Sequence, residues 1–183
     1  MNHKNININE IHFLGSLGRT DNKPERFGLK KLNGTEFFID NDGNTWQNEI
    51  LWDTGWGNIN GFIKLPEPNF EQLWTLLTES QIEVNLLGSA ELLTQYPIEV
   101  KQKIEEIFKH NKKIDQDLTK RLSRLDVLNH VMNHSEMKGK KPKEVDADYQ
   151  EWKKLKDDFD KLKTVANNGY NSLWQKAKSM FKL

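Results

Sequence analysis

The sequence contains no cysteine, carries no net charge and has only short apolar runs. Without cysteine, a disulfide framework and thiolate chemistry are both excluded. No stretch approaches the roughly 18 apolar residues of a transmembrane helix, so we expect no membrane partner. The first ten residues also lack the apolar segment of a secretory signal, and we therefore expect a cytoplasmic protein.

The composition is that of a folded but polar protein. Of the 183 residues, 36% are apolar, 10% aromatic and 30% charged. This is enough apolar material for one good core or two small ones, and it argues against general disorder. The charge is unevenly distributed, because residues 1–96 hold 7 basic and 13 acidic side chains and residues 97–183 hold 20 and 14. The halves therefore carry −6 and +6, which allows them to attract each other or to bind different partners.

Residues 1–65 are predicted to form β-strands and loops. Asp42-Gly43 is a turn dipeptide between two apolar runs, 35–39 and 45–52, which we expect to pair as an antiparallel hairpin. Further strands are expected at 11–14, at 27–29 and, after a turn at Gly57–Gly61, at 62–65.

Three helices are predicted between residues 66 and 110. Pro66 and Pro68 end the β region, because proline neither continues a strand nor sits inside a helix. The helices are expected at 70–78, capped by Asn69, at 82–95, and at 97–109 with proline in its first turn. The second helix is apolar on almost every side, which makes it the natural cover for a small sheet.

Residues 111–183 have the pattern of long, charged, amphipathic helices. Apolar residues recur every three or four positions from Ile114 to Met132, and again from Trp152 to Ala166 with coiled-coil-like spacing. A polar breaker at 135–143 separates these helices, and Gly169 is expected to interrupt the chain before a last helix. Two amphipathic helices joined in this way are expected to form an antiparallel hairpin.

These patterns predict an α+β protein. A small N-terminal antiparallel sheet is packed on a helical core and is followed by a C-terminal helical hairpin. The expected regions are a β-rich aromatic region at 1–65, a helical core at 66–110 in the same domain, and long amphipathic helices at 111–183.

The central helices resemble one HEAT-type repeat over residues 70–95. The likeness lies in Leu73-x-x-Leu76-Leu77 at the end of the first helix, a short polar turn, and a second helix with small residues at 88 and 90. Asn85 stands where such repeats often carry arginine. No second copy is present, and solenoids need about three, so we expect no HEAT array.

The run from Asp40 to Trp46, followed by a tryptophan-rich loop in a chain without cysteine or signal, resembles the cytoplasmic immunity proteins that bacteria carry against polymorphic toxins. This resemblance implies a protein that neutralises a cognate toxin by binding it. It assigns no role to any single residue.

Two patterns suggest metal sites, and each has a simpler explanation. His130 and His134 have the spacing of helical zinc ligands, but no third ligand is evident, and positive histidines are favourable at a helix C-terminus anyway. Asp40, Asp42 and Asn44 resemble a calcium loop, but glycine and glutamate are missing from the sixth and twelfth positions. We therefore expect a solvated histidine pair and a hairpin turn.

Three other patterns also have structural explanations. The glycines at 15 and 18 lack the βαβ setting of a dinucleotide site and predict a turn. Glu49 and Asp53 fall on one face of a strand by alternation alone, without catalysis. The basic cluster of the breaker contains no aromatic residue, so we expect a solvated loop rather than a nucleic-acid site. It comprises Lys138, Lys140, Lys141 and Lys143.

The strongest candidate surface is the loop from Trp52 to Phe62, in which glycines flank aromatic side chains. Tryptophan supplies a large contact area at little entropic cost, which suits a recognition patch. In the alternative interpretation, Trp52 and Phe62 point into the core and Trp56 caps a turn. The predicted partner-binding residues are Trp52 and Trp56, with Asp53, Glu67, Glu71 and Glu83 steering a basic partner surface.

The sequence therefore predicts a cytoplasmic protein-binding module, an immunity protein for a cognate toxin, and not an enzyme. No cofactor, metal site or nucleic-acid partner is assigned, and the oligomeric state stays open. One alternative is a metal-dependent enzyme or a nucleic-acid-binding protein that uses the C-terminal half. Another is an oligomeric scaffold joined through the apolar seam at 152–166.

Overall fold

The structure is a computed structural model. It describes residues 5–15, 22–53, 58–110, 116–129 and 141–180. Within these ranges the side chains are described except at residues 52, 53, 58, 59, 110, 129, 162 and 164–180. The chain divides into two compact units, Met1–Gln95 and Tyr96–Leu183. The division coincides with the change in charge, so the first unit carries −6 and the second +6. Among the described helices, none combines the length and apolarity needed to cross a bilayer.

The described part of the first unit begins with a five-stranded antiparallel sheet. Its strands are β1 (Phe13–Leu14), β2 (Lys30–Lys31), β3 (Phe37–Ile39), β4 (Thr45–Asp53) and β5 (Asn58–Lys64). They lie in the order β1-β5-β4-β3-β2. The hairpin expected at 35–52 is present as β3 and β4, in which Phe38 pairs with Trp46. The α+β class and the N-terminal antiparallel sheet are thus confirmed.

Two elements of the sheet differ from the prediction. Residues 58–61 were expected in a turn but belong to β5, because β4 continues to Asp53 and pairs with them throughout. A strand was expected at 27–29, but Phe27 ends a 3₁₀ helix, Pro24–Phe27, and Gly28 follows with a φ of 70°. Proline at the start and a left-handed glycine at the end favour this turn over a strand.

Helices α1 (Phe70–Glu79) and α2 (Glu83–Leu92) match their predicted positions, although α2 ends early and continues as a 3₁₀ turn, Leu93–Gln95. Asn69 caps α1 as expected: its side chain accepts from the Gln72 N–H, and the Gln72 side chain accepts from the Asn69 N–H. The predicted cover is also confirmed, since α2 packs on β1 and β4.

The opposite face of the sheet carries its own apolar cluster. Phe62, Trp46 and Leu29 are buried there, and the Phe62 ring meets Phe27 and Phe38 edge-on at centroid distances of 5.9 and 5.2 Å. Phe62 is therefore a core residue, as the alternative interpretation of the aromatic loop held. The sheet is thus apolar on both faces, with α2 on one and the segment around the 3₁₀ helix on the other.

A buried polar side chain ties the N-terminal segment to the helices. Asn85, fully buried in α2, accepts from the His12 N–H at 2.9 Å and donates to the Glu10 carbonyl at 2.7 Å. Ser80, buried before α2, donates to the Ile8 carbonyl at 2.9 Å. These bonds satisfy backbone groups of a segment that enters the sheet only at Phe13.

The described part of the second unit is helical. It contains α3 (Pro97–His110), α4 (Gln116–Leu122), α5 (Asp126–Asn129) and α6 (Pro142–Met180). The unit buries Val100, Ile104, Leu122, Leu125, Val127, Leu128, Trp152, Leu155 and Phe159. Both α4 and α5 pack against α6, as expected for the two sides of a helical hairpin.

This hairpin differs from the prediction in two places. Its first side breaks between α4 and α5, where Arg124 and Leu125 donate to carbonyls three residues back, which tightens the chain. The expected interruption at Gly169 is absent, because α6 is continuous from Pro142 to Met180. One glycine inside a helix costs only about 1 kcal/mol, which a long helix tolerates.

The coiled-coil-like seam is used within a single chain. Trp152, Leu155 and Phe159, which begin the seam, are all buried in the second unit. An interface between copies would need these side chains exposed on the free chain. The described part of the seam therefore does not supply the scaffold interface of the oligomer hypothesis.

We expect Asn85→Ala to lower the free energy of unfolding by about 3 kcal/mol. The substitution leaves the His12 N–H and the Glu10 carbonyl without their partner, and each orphaned buried group costs about 1–3 kcal/mol. Urea unfolding followed by tryptophan fluorescence measures the loss. Asn9→Ala, at an exposed amide, is the control and should stay within about 0.5 kcal/mol of the parent. Equal stability of the two variants would contradict this account.

Gly88→Ala should destabilise the protein by about 1–2 kcal/mol, even though alanine is the better helix former. A Cβ at position 88 would overlap the ring of Phe13, which is fully buried and cannot move aside freely. Thermal or urea unfolding gives the sign. The double variant Phe13→Leu/Gly88→Ala should lose less than the sum of the two single losses. A stabilised Gly88→Ala variant would show that helix propensity outweighs the contact.

Candidate binding surface

The predicted aromatic loop lies at the end of the β4–β5 hairpin. Trp52 and Asp53 occupy the last paired positions of β4, opposite Ile59 and Asn58. Trp56 lies outside the described residues. The structure therefore places the backbone of Trp52 and Asp53 at one end of the long hairpin, with residues 54–57 connecting the two strands.

A β-bulge shapes this end of the hairpin. Pairing passes from Ile50–Asn60 to Trp52–Ile59, so Leu51 is the extra residue. Leu51 is fully buried, whereas Ile50 beside it is 43% exposed. Bulges re-aim a strand and are common next to functional sites. The bulge also shifts the alternation of β4 by one residue, so positions 49 and 53 fall on opposite faces of the sheet. The sequence had predicted that strand alternation places Glu49 and Asp53 on one face.

The strands beneath the hairpin end are closely packed. A Cβ at Gly61 would overlap the side chain of Leu51 and come within 2.7 Å of the Leu14 carbonyl, so only glycine fits there. Asn22 donates from its side chain to the Asn60 carbonyl at 2.8 Å. The bulged strand is thus held in place by β5 and by the chain around it.

Of the four acidic residues predicted to steer a partner, Glu67, Glu71 and Glu83 are exposed but do not form one patch with the hairpin end, where Asp53 lies. Glu67 follows the opposite end of β5, a seven-residue strand about 20 Å long. Glu71 and Glu83 lie in the first turns of α1 and α2. These helices are joined by three residues and pack together, so they run antiparallel and their first turns lie about 15 Å apart.

The calcium-like run of residues 40–44 forms a hairpin turn, as preferred from the sequence. The Asp40 carboxylate accepts from the backbone N–H groups of Asp42 and Asn44 at 2.9 and 2.8 Å. It also accepts from the Asn44 side chain and from the indole N–H of Trp46, both at 2.9 Å. Both carboxylate oxygens are therefore occupied by the turn itself and by the buried tryptophan below it.

These bonds control the ionisation of Asp40. Burial acts to raise the pKa of its carboxyl group, but the hydrogen bonds from Asn44, Trp46 and the backbone outweigh burial and hold the pKa below its ordinary value. The ionised form is thus the one that the hairpin turn stabilises.

The described residues add no support for the metal sites and the lysine cluster considered from the sequence. Within them, no three His, Asp or Glu side chains are placed to hold a metal ion. His130, His134, Gly18, Lys138 and Lys140 lie outside the described part of the chain. Lys141 and Lys143 are exposed at the start of α6, where the Lys141 N–H donates to Glu144.

Ile50 is a surface residue that sequence reasoning did not single out. It lies in the apolar strand pattern of β4, in which alternation puts Ile50 and Leu51 on opposite faces without showing which face is exposed. The structure shows that Ile50 is the exposed residue and Leu51 the buried one. The short run Ile50-Leu51-Trp52, which breaks polar and apolar alternation, is the one sequence signal that points there.

Comparison with known proteins assigns no family. No family model, curated protein or solved structure matches the chain. A proposed function therefore rests on the geometry and charge of the described surfaces and on the resemblance noted in the sequence.

Asp40→Asn should lower stability by about 1–2 kcal/mol at pH 7, because an amide nitrogen would face the donors of Asn44 and Trp46. The folded pKa lies below the unfolded value of about 3.9, so the carboxylate stabilises the fold above that pH, and its contribution is lost as pH falls through the folded pKa. The difference between variant and parent in urea unfolding should therefore shrink below about pH 4. Asp42→Asn, at an exposed carboxyl, is the control and should show no such convergence. A difference independent of pH would contradict the assignment.

Proposed function

We propose that this chain is a protein-binding module that holds its partner with the end of the β4–β5 hairpin. The observation that carries the proposal is the contrast between Ile50, 43% exposed, and the fully buried Leu51 beside it. Large exposed apolar side chains on a fixed backbone are what a binding surface needs. Trp52 and Trp56 belong to the same end of the hairpin in sequence.

Rigidity supports this choice of surface. The bulged strand is anchored by Leu51 and by the close approach at Gly61, and pairing continues to the last described residues of both strands. A surface held in one conformation loses little entropy when it binds, so more of the free energy gained from its apolar contacts contributes to affinity. Tryptophan is among the residues most enriched at binding hot spots.

The charge of the first unit supports a basic partner. This unit carries −6, and Glu67, Glu71 and Glu83 are exposed at separate places on it. Scattered acidic residues raise the rate of encounter with a basic surface through the net field, without forming a contact patch. The resemblance to immunity proteins implies the nature of that partner, a toxin that is neutralised when this chain covers it.

Trp56→Ala should weaken partner binding about 30-fold or more, since central tryptophans contribute about 2 kcal/mol or more. Ile50→Thr, which keeps β-branching and removes apolar area, should weaken it about fivefold. The partner is captured from lysate with the full chain, identified, purified and titrated by calorimetry. Ile11→Thr, at a residue of the same unit that is 47% exposed, is the matched control and should bind as the parent does.

Two results separate the parts of this proposal. Unchanged affinity in both Trp56→Ala and Ile50→Thr would remove the hairpin end from the interface. If the captured partner is a toxin, co-expression with the parent chain should restore growth of cells that produce it, and co-expression with Trp56→Ala should not. A partner that is harmless to cells would refute the immunity role while leaving the binding role intact.

A further inference from the structure

The second unit contains an open groove between α3 and α6. It has a volume of about 590 Å³ and is lined by Glu105, Phe108, Lys109, Glu151, Lys154, Leu155 and Asp158. Ligand pockets are commonly of this size. Phe108 and Leu155 supply the apolar part of the lining, and the charged side chains form the rim.

The two walls of the groove are fastened together next to it. Lys101 of α3 pairs with Glu151 of α6 at 2.5 Å, and its ammonium lies 5.5 Å from the ring centroid of Trp152. Trp152 is buried, as is Ile104 one turn along α3. This ion pair and the cation–π contact to a buried ring join α3 to α6 beside the groove.

Some charged side chains of the groove have an ion-pair partner, and others have none among the described residues. Glu151 and Asp158 are already neutralised by Lys101 and Lys161. Within the described part of the chain, Lys109 and Lys154 have neither an ion-pair nor a hydrogen-bond partner, and Glu105 has none either. The charge left for a ligand is therefore two ammonium groups, one on each helix, against a single carboxylate.

We infer that this groove binds an acidic amphipathic helix of a partner protein. Apolar side chains of that helix lie on Phe108, which is half-buried, and its carboxylates pair with Lys109 and Lys154. The +6 charge of this unit acts in the same direction, since it attracts an acidic segment from a distance. The site is separate from the β4–β5 hairpin and does not depend on the function proposed for it.

The test uses the full chain and a defined probe. A fluorescein-labelled 18-residue peptide with leucine on one helical face and glutamate on the other is titrated and followed by anisotropy. We expect saturable binding that weakens with salt, and no saturable binding of the matched peptide with lysine in place of glutamate. Equal binding of the two peptides, or no saturable binding of the acidic one, would overturn the proposal.

Charge reversal locates the site. Lys109→Glu/Lys154→Glu should weaken binding of the acidic peptide about tenfold or more, because two attractive pairs become repulsive. The control, Lys143→Glu/Lys153→Glu, changes the net charge equally at exposed positions away from the groove and should weaken binding less than about threefold. All four lysines are exposed, so circular dichroism should show unchanged helix content. Equal losses in the two variants would refute the groove as the site.

Two further results would show that the groove binds a different ligand from the proposed helix. Binding of decanoate with higher affinity than the peptide, sensitive to the same reversal, would make a small amphiphilic anion the ligand and overturn the peptide assignment. A dimer in sedimentation that Lys109→Glu/Lys154→Glu dissociates would make a second copy the occupant. Trp56→Ala should bind the peptide as the parent does, which separates failure here from failure of the hairpin proposal.

Discussion

The first unit depends on one constraint: adjacent residues Phe62 and Ile63 of the central strand β5 are both buried, so the sheet needs a cover on each side. On one face the cover is α2, whose Gly88 lies against Phe13. On the other it is the segment that contains Phe27 and Leu29, packed around Phe62. Phe62 and Ile63, neighbours in β5, are both buried, one on each face of the sheet. The binding surface proposed for this unit lies at the far end of the hairpin that β5 forms with β4.

Buried polar groups complete this arrangement. Asn85 and Ser80 hold an irregular segment whose backbone would otherwise lack partners, and Asp40 does the same for the β3–β4 turn and for Trp46. In each case a short side chain replaces backbone pairing at a place where the strand has not begun or has ended. Glu10 contributes from the surface, where hydrogen bonds from Lys64 and then Asn7 hold its pKa below the ordinary value.

The two proposed surfaces follow from different physical properties of their units. The hairpin end exposes apolar area next to a fully buried leucine, on a unit with excess negative charge. The groove between α3 and α6 offers two available ammonium groups around an apolar floor, on a unit with excess positive charge. Opposite charge on the two units favours partners of opposite character, one basic and one acidic.

Much of the fold was predictable because it follows from local rules. Asn69, Pro97 and the periodicity of 70–109 placed three helices to within a few residues, and Asp42-Gly43 placed the β3–β4 hairpin.

Tertiary structure decided the rest. Sequence alternation cannot reveal the bulge at Leu51, because the bulge is a feature of the pairing with β5, whose residues 58–61 were predicted to form a turn. Gly169 failed to end α6 because one weak helix residue does not outweigh the hydrogen bonds of a long helix. Nor could the sequence show that Lys109 and Lys154 lack an ion-pair partner among the described residues, since pairing depends on contacts between helices far apart in the chain. The sequence by itself determined the α+β class, the β3–β4 hairpin and where α1, α2 and α3 begin, because these features are set by neighbouring residues. Only the tertiary structure decided where β5 begins and which side chains are exposed, because pairing and burial are properties of distant residues brought together.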